Sequence, residues 1–333
     1  MRTLSLLSCL VVLFLSCKEE TTLDKITIQG DAFGTIYTVQ YFGSEEEAVG
    51  MKQGIDSVIY VVNKSMSTYL PDSDISKINR GDSTVVIDHM FKDVYEISRK
   101  LHTATAGYFD PTVGTLRNAY GFGEKDGLEI VDSAMIDSLM LFVGWNKVAL
   151  KDDQTITKEY LQIYFDFNAV AKGYGVDRVG VFMKEKGYHN FLIDIGGEIV
   201  ASGIHEGKKE SWIVGIENPD SPINNRTHQV LVNLKDKGMA GSGNYRKNRI
   251  DEITGKQYVH TINPITGSAE QSDVISATII AADCATADAW ATSCMAMGLE
   301  RAKKALKDQD VEAYLVYDGG VYITEGFNEY IQD

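Results

Sequence analysis

Asp288 and Thr292 lie four residues apart in the run Asp283-Cys-Ala-Thr-Ala-Asp-Ala-Trp-Ala-Thr292. On a helix that spacing puts both side chains on one face. A carboxylate beside a hydroxyl is a hard-oxygen pair, suited to Mg²⁺ rather than zinc, and Mg²⁺ completes its shell with phosphate oxygens and water. The same pair also fits a buried aspartate satisfied by backbone, with the threonine bonding back into its own helix. A second run, Asp166-Phe-Asn-Ala169-Val-Ala-Lys172-Gly-Tyr-Gly-Val-Asp177-Arg178, ends a strand on an acid and opens a helix shortly after. Helix N-termini favour anions, and Lys172, one turn in, is placed to reach a ligand oxygen. The alternative is that Asp166 serves helix entry and Lys172 is solvated. Gly107-Tyr-Phe-Asp110-Pro-Thr-Val-Gly114 and Tyr120-Gly-Phe-Gly123 set glycines beside aromatic rings, which suits a planar heterocycle or a packed core loop. Ile193-Asp-Ile-Gly-Gly-Glu198 places a carboxylate just past a diglycine turn. His260 stands close to Asn263-Pro264 in a stretch ending at Gly267, and is the one histidine in a motif-like setting.

Several chemistries are absent from the pattern. The six histidines show no HxH or HExxH spacing, which argues against a histidine zinc site. No Walker A loop, GxGxxG fingerprint or GxSxG elbow occurs.

The elements that must carry these residues can be read from periodicity. Ile26–Gln29 and Ile36–Phe42 read as strands. Glu46–Asn63, Phe91–Thr105 and Ser133–Leu141 read as helices. Leu161–Asp166 reads as a strand leading into a helix over Ala169–Lys186, with Asn168 as its N-cap. Phe191–Ile195, Ile199–Ser202, Trp212–Glu217, Gln229–Asn233 and Val274–Ala281 read as strands, and Ala285–Met297 as a helix. Short strands next to one another point to antiparallel pairing. The expected fold class is therefore α+β (mixed α/β): mainly antiparallel sheets flanked by helices, in one lobe or two. Cys284 and Cys294 stand ten positions apart on that last helix, about 15 Å of rise. A disulfide between them is excluded, and buried thiols are expected.

The chain has 333 residues, with 32 Lys+Arg against 47 Asp+Glu and a formal charge of −15. Such a surface repels nucleic-acid phosphates, so no nucleic-acid partner is expected. A phosphorylated ligand would need a cation or oriented backbone N–H groups. The N-terminus carries an apolar run from Leu4 to Leu15, about 12 residues, against the roughly 20 that span a bilayer. Residues 1–16 read as a signal peptide. Ser16 before Cys17 resembles a bacterial lipobox, with Phe14 where Leu is more usual; an ordinary secretory signal with an incidental cysteine is the alternative. Cys17 would then carry the lipid, with 17–24 as a tether and 25–333 as one catalytic unit. Lys18-Glu19-Glu20 looks like a surface-export signal or a plain polar tether.

Taken together and in order, these segments resemble the ApbE family, flavin transferases that move FMN from FAD onto proteins. The likeness runs from Ile26 to the C-terminus. It also takes in Phe33-Gly34-Thr35, Ser67-Thr68-Tyr69-Leu-Pro-Asp72-Ser-Asp74-Ile-Ser76 and Gly241-Ser-Gly-Asn-Tyr-Arg246. The resemblance implies FAD contacts at Tyr69, Tyr108, Phe109, Asp110, Asp166, Lys172, His260 and Ile262. Phe33 takes the family's methionine position, and Glu198 is a further candidate for the same site. It implies Mg²⁺ ligands at Ala169, through its carbonyl, and at Asp288 and Thr292, with Ala291 beside them. Asn168 and Ala169 stand where Gly or Ser is common, and Asn263 replaces a frequent Asp; neither removes a ligand side chain. The implied reaction is Mg²⁺-dependent transfer of FMN to a threonine hydroxyl with release of AMP, Asp288 serving the metal and His260 or a nearby carboxylate taking the proton. The implied acceptors are subunits of membrane redox complexes of the sodium-pumping quinone reductase type. The implied location is extracytoplasmic, lipid-anchored at the periplasmic face of the inner membrane or at the outer membrane. Two alternatives remain at this level: a Mg²⁺-dependent FAD pyrophosphatase, and a flavin-binding lipoprotein without turnover.

The leader generates one test. Cys17→Ser should move the protein from the membrane pellet to the soluble fraction, because acyl chains contribute about 0.8 kcal/mol per buried CH₂. A variant that still pellets with membranes would show that Cys17 is not the anchor.

Overall fold

The computed structural model describes residues 24–123, 127–128, 131–222, 224–244, 248–250 and 255–332. The leader, Cys17 and Tyr245-Arg246 of the Gly241 motif lie outside the described residues. In chain order the elements are β1 (Asp24–Ala32), β2 (Thr35–Gly43), α1 (Glu45–Met66), α2 (Asp74–Asn79), α3 (His89–Ala104), α4 (Gly114–Ala119), α5 (Ser133–Met140), β3 (Val148–Leu150), β4 (Ile156–Lys158), α6 (Ala171–Glu185), β5 (Phe191–Ile195) and β6 (Glu198–Ser202). They continue with β7 (Trp212–Glu217), β8 (His228–Leu234), β9 (Lys237–Gly243), β10 (Asn248–Ile250), β11 (Gln257–Val259), β12 (Val274–Ala281), α7 (Cys284–Met297), α8 (Leu299–Leu306), β13 (Glu312–Tyr317) and β14 (Gly320–Ile323).

Eight strands form one sheet in the order β1-β2-β5-β6-β9-β12-β13-β14. Every pairing in it is antiparallel, as the short neighbouring strands suggested. Side chains alternate between its faces with the two-residue period of a strand. Ala240 and Ile279 join one core together with residues of α1, α6 and α7. Met239 and Ile280, their chain neighbours, join the other core beneath the β7–β8 hairpin. Helices thus cover one face and a hairpin the other. A third, smaller cluster gathers Leu116, Tyr120, Val143, Tyr258, Ile262 and Ala269.

Helix α7 lies inside the helical layer, with only Thr286 and Thr292 short of full burial. A helix buried on nearly all sides needs small residues, and Ala285, Ala287, Ala289 and Ala291 meet that need. Its N-terminus presses on β9 at Gly238, where a Cβ would stand 2.3 Å from the Cys284 nitrogen. Helix α6 crosses it closely: a Cβ on Gly173 would stand 2.4 Å from the Cys284 carbonyl oxygen. The first N–H groups of a helix have no partner within it. In α7 two neighbours supply them. Asp177 of α6 accepts from the Cys284 and Ala285 N–H groups, both at 2.9 Å. The N-cap Asp283 accepts from Thr286 N–H at 2.7 Å. Burial pushes Asp177 up to about 7, against the pull of its two backbone donors. Both cysteines are free and buried, and burial pushes Cys294 up to about 12.

Two expectations fail. Residues 161–166 are not a strand, because among the described residues no strand pairs with them; Tyr164 makes an isolated bridge to Val113. Helix α6 opens at Ala171 with Val170 at the cap position and no side-chain cap bond, so Asn168 is not its N-cap. The Asn168 N–H instead donates to Asp166 Oδ1 at 2.8 Å, closing a turn before the helix.

Gly173→Ala should lower stability by about 1–3 kcal/mol, the usual cost of overpacking. Chemical denaturation measures it, and an unchanged midpoint would contradict the close crossing of α6 and α7.

Candidate functional site

The hairpin turns β1–β2 and β5–β6 lie side by side. Phe33 occupies the first with φ 51°, a left-handed conformation uncommon for a non-glycine residue. Its ring lies on α6, where a Cβ on Gly175 would come within 2.5 Å of it. A Cβ on Gly196, in the second turn, would stand 2.6 Å from Thr35. Just past that turn Glu198 opens β6, only 2% exposed. The first turn of α6 brings Lys172 to it, and the two form an ion pair. Beside them, the Gly173 N–H donates to Asp288 Oδ2 at 3.0 Å. Three elements remote in sequence therefore converge: β6 with Glu198, α6 with Lys172 and Gly173, and α7 with Asp288.

The electrostatics follow from burial. Burial pushes Asp288 up to about 6, against the pull of the Lys172 charge and the Gly173 N–H. It pushes Glu198 up to about 8, with Lys172 pulling down and Asp288 pushing further up. Lys172 is pushed down by its own burial, but Glu198 and Asp288 outweigh this and hold it above the ordinary lysine range. Two buried carboxylates share one lysine. A buried anion short of partners is costly, and a bound cation relieves that cost. Thr292 follows Asp288 by one helical turn and is half-buried, with Ala291 fully buried beside it. Ala169 lies half-buried in the turn before α6. No group of three His, Cys, Asp or Glu side chains forms a metal cage among the described residues. A carboxylate, a hydroxyl and a backbone carbonyl are nonetheless the sparse oxygen set that fits Mg²⁺ together with phosphate.

A second arm of the site is built on residues 161–166. Asn79 of α2 stands in for the missing strand: its Nδ2 donates to the Phe165 carbonyl at 2.9 Å, and the Phe165 N–H donates to its Oδ1 at 2.7 Å. Lys158 donates to the carbonyls of Ile163 (2.9 Å), Leu161 (3.0 Å) and Asn79 (3.3 Å). Burial lowers its pKa to about 8. The Asp166 N–H donates to the Pro111 carbonyl at 2.7 Å. Asp166 itself is buried, and its Oδ2 lies 2.9 Å from Arg117 of α4. Arg117 also donates to the Tyr69 hydroxyl at 2.7 Å, so Tyr69 and Asp166 are joined through a cation.

The aromatic loop meets the histidine segment. A Cβ on Gly107 would stand 3.2 Å from Ile265 Cδ1, and the Tyr120 hydroxyl donates to the Gly267 carbonyl at 2.9 Å. Tyr108 is half-buried, with the Arg301 guanidinium 5.9 Å from its ring centre. Phe109 and Ile262 are core side chains. Asp110 is occupied from two sides: Oδ1 accepts from the Thr112 N–H and hydroxyl of its own loop, and Oδ2 from the Trp145 N–H, 35 residues on. Its carboxylate organises the turn that presents Tyr108. His260 is half-buried and follows β11 directly. Next to it, Thr261 donates to Asn244 Oδ1 at 2.8 Å, and Asn263 ties the segment to α7 through the Ala296 carbonyl at 3.3 Å. A cleft of about 420 Å³, lined in part by Thr261, Asn263, Met295 and Arg301, opens here.

Sequence reasoning missed Asn79, Asp177 and Arg117, which brace the elements of the site. Each had a faint signal. Asn79 is a poor helix residue beside Ile75 and Ile78; Asp177 follows Gly173 by one turn; Arg117 is a lone cation between Gly114 and Tyr120.

The ApbE family model matches residues 33–315. A protein named FAD:protein FMN transferase from Haemophilus influenzae is 32% identical over 312 residues, covering 90% of this chain and 88% of that protein. One of the same name from Vibrio cholerae is 29% identical over 329 residues, covering 97% and 96%. The solved structure of the flavin transferase ApbE from Vibrio cholerae superposes with a TM-score of 0.82 at 28% identity, covering 92% of this chain and 99% of that one.

Asn79→Ala would leave the N–H and carbonyl of buried Phe165 without partners. It should cost about 1–3 kcal/mol for each orphaned group, read by urea denaturation. An unchanged midpoint would show that Asn79 does not hold the 161–166 segment.

Proposed function

The chain belongs to the ApbE family and transfers FMN from FAD to protein, and on that premise we propose that the acceptor is a threonine hydroxyl and that the reaction requires Mg²⁺. The observation that carries this reading is the buried meeting of Asp288, Lys172 and Glu198 beside the turn of Ala169. In the proposed step the hydroxyl oxygen bonds to the FMN phosphorus, the bond from that phosphorus to the AMP oxygen breaks, and AMP leaves. Asp288, Thr292 and the Ala169 carbonyl would hold the metal. When bound, Mg²⁺ supplies charge neutralisation at the phosphoryl oxygens.

The chain's own residues do the rest. Lys172, kept charged by two carboxylates, is the cation we assign to a pyrophosphate oxygen. Tyr69 and Tyr108 offer ring faces for the flavin or adenine. The candidates for taking the acceptor's hydroxyl proton are His260, half-buried just past β11, and a nearby carboxylate.

The leader with Cys17 supports an extracytoplasmic, lipid-anchored location, within reach of acceptor subunits of membrane redox complexes of the sodium-pumping quinone reductase type. Among the described residues no helix is long and apolar enough to cross a membrane.

Incubating the protein with FAD, Mg²⁺ and an acceptor domain decides the reaction. Fluorescent flavin on the acceptor in a denaturing gel is the expected result. FMN and AMP formed without acceptor labelling would make it a pyrophosphatase, and bound FAD without turnover would make it a binding protein. Asp288→Ala should reduce Mg²⁺-dependent turnover by about a hundredfold or more; full activity of that variant at low Mg²⁺ would sink the metal assignment.

A further inference from the structure

We propose that Arg117 is a positioning residue that makes Tyr69 and Asp166 one preorganised unit for binding the flavin dinucleotide. The identity of that ligand rests on the reading above. Arg117 projects from α4. This helix is anchored by Leu116, fully buried in the third core. Its first residue, Gly114, is pressed on the 161–166 segment: its N–H donates to the Tyr164 carbonyl at 3.1 Å, and a Cβ there would stand 2.5 Å from that oxygen. Arg117 lies one turn further along, so its guanidinium reaches across the segment rather than into solvent. One nitrogen lies 2.9 Å from Asp166 Oδ2 and another donates to the Tyr69 hydroxyl at 2.7 Å. The same guanidinium stands 5.8 Å from the centre of the Tyr69 ring.

Tyr69 is 59% exposed, and an exposed ring without a partner samples several rotamers. Here both its hydroxyl and one of its two faces are held by a side chain that is itself only 15% exposed. Asp166 passes the constraint inward, because its Oδ1 accepts from the Asn168 N–H at 2.8 Å. The turn thus closed spans residues 166–168 and runs into the next one, which holds Ala169 and is closed by the Val170 N–H donating to the Phe167 carbonyl at 2.9 Å. A continuous polar line therefore runs from the exposed ring, through Arg117 and Asp166, to the entry of α6. Ordering such groups before the ligand arrives removes an entropic cost from binding. The fork of an arginine can hold two oxygens in a fixed relation; the point charge of a lysine cannot.

Arg117→Leu, Arg117→Lys, Tyr69→Phe and the Arg117→Leu/Tyr69→Phe double variant test this in the full chain. FAD affinity by quenching of flavin fluorescence should weaken about tenfold or more in Arg117→Leu, the scale of a lost charge-assisted hydrogen bond. The KM for FAD should rise in parallel, with a smaller change in kcat at saturating FAD. Arg117→Lys should recover only part of the loss. Tyr69→Phe keeps the ring and removes only its hydroxyl, so it should weaken binding less. Added to Arg117→Leu it should have almost no further effect, because the two changes break the same bond. Without FAD, hydrogen exchange over residues 166–170 should quicken in Arg117→Leu. Unchanged exchange, unchanged FAD affinity, or strictly additive effects of the two substitutions would each overturn the proposal. Should Arg117→Leu fail to fold, Tyr69→Phe and Arg117→Lys decide it, and wild-type affinity in both would overturn it. Wild-type protein that neither binds nor turns over FAD would overturn the flavin reading instead, and exchange over 166–170 would still show whether Arg117 orders the turn.

Discussion

The crossing of α6 over α7 is the contact on which the site depends. At Gly173 the two backbones approach so closely that no side chain fits between them. That approach lets a backbone N–H reach Asp288. One turn along α6, Asp177 takes two of the open N–H groups of α7. Residues four apart share a helix face, so Gly173 and Asp177 on one helix meet Cys284 and Asp288 on the other. The pair is thereby locked against sliding and rotation. The same face carries Thr292 one turn on, and the Ala169 turn leads directly into α6.

The second brace is made from side chains instead of a sheet. Residues 161–166 lack a neighbouring strand, and a buried backbone without partners is unstable. Asn79, Lys158, Gly114 and Pro111 provide those partners. The result is a braced segment whose last residue, Asp166, has its backbone fixed from one side and its carboxylate held by Arg117 from another.

The acidity of the chain divides into two roles. Glu45, Glu46 and Glu47 lie exposed in the first turn of α1, where the helix dipole favours negative charge. They contribute to the overall charge without touching the site. Asp288 and Glu198 are few but buried, share one lysine, and are raised by burial. A protein with a formal charge of −15 can accommodate a pyrophosphate if such carboxylates recruit a cation first.

The sequence alone was enough for the family resemblance, the antiparallel mixed fold and the shared face of Asp288 and Thr292, because each depends on local periodicity or on residue order. The helix pattern also sufficed to exclude a disulfide between Cys284 and Cys294, and both are free. Tertiary structure decided the rest. Asn168 looked like a cap by its type and place, yet Asp166 claims its N–H and α6 opens later. Asp110 looked available, yet Thr112 of its own loop takes one oxygen and the distant Trp145 N–H the other. Asn79, Arg117 and Asp177 act on groups 86, 49 and 107 residues away, respectively, for Phe165, Asp166 and Cys284. Hydrogen bonds of that reach leave no periodic trace in a chain. They exist only once the sheet has set α6 and α7 against one another and brought the 161–166 segment against α2 and α4.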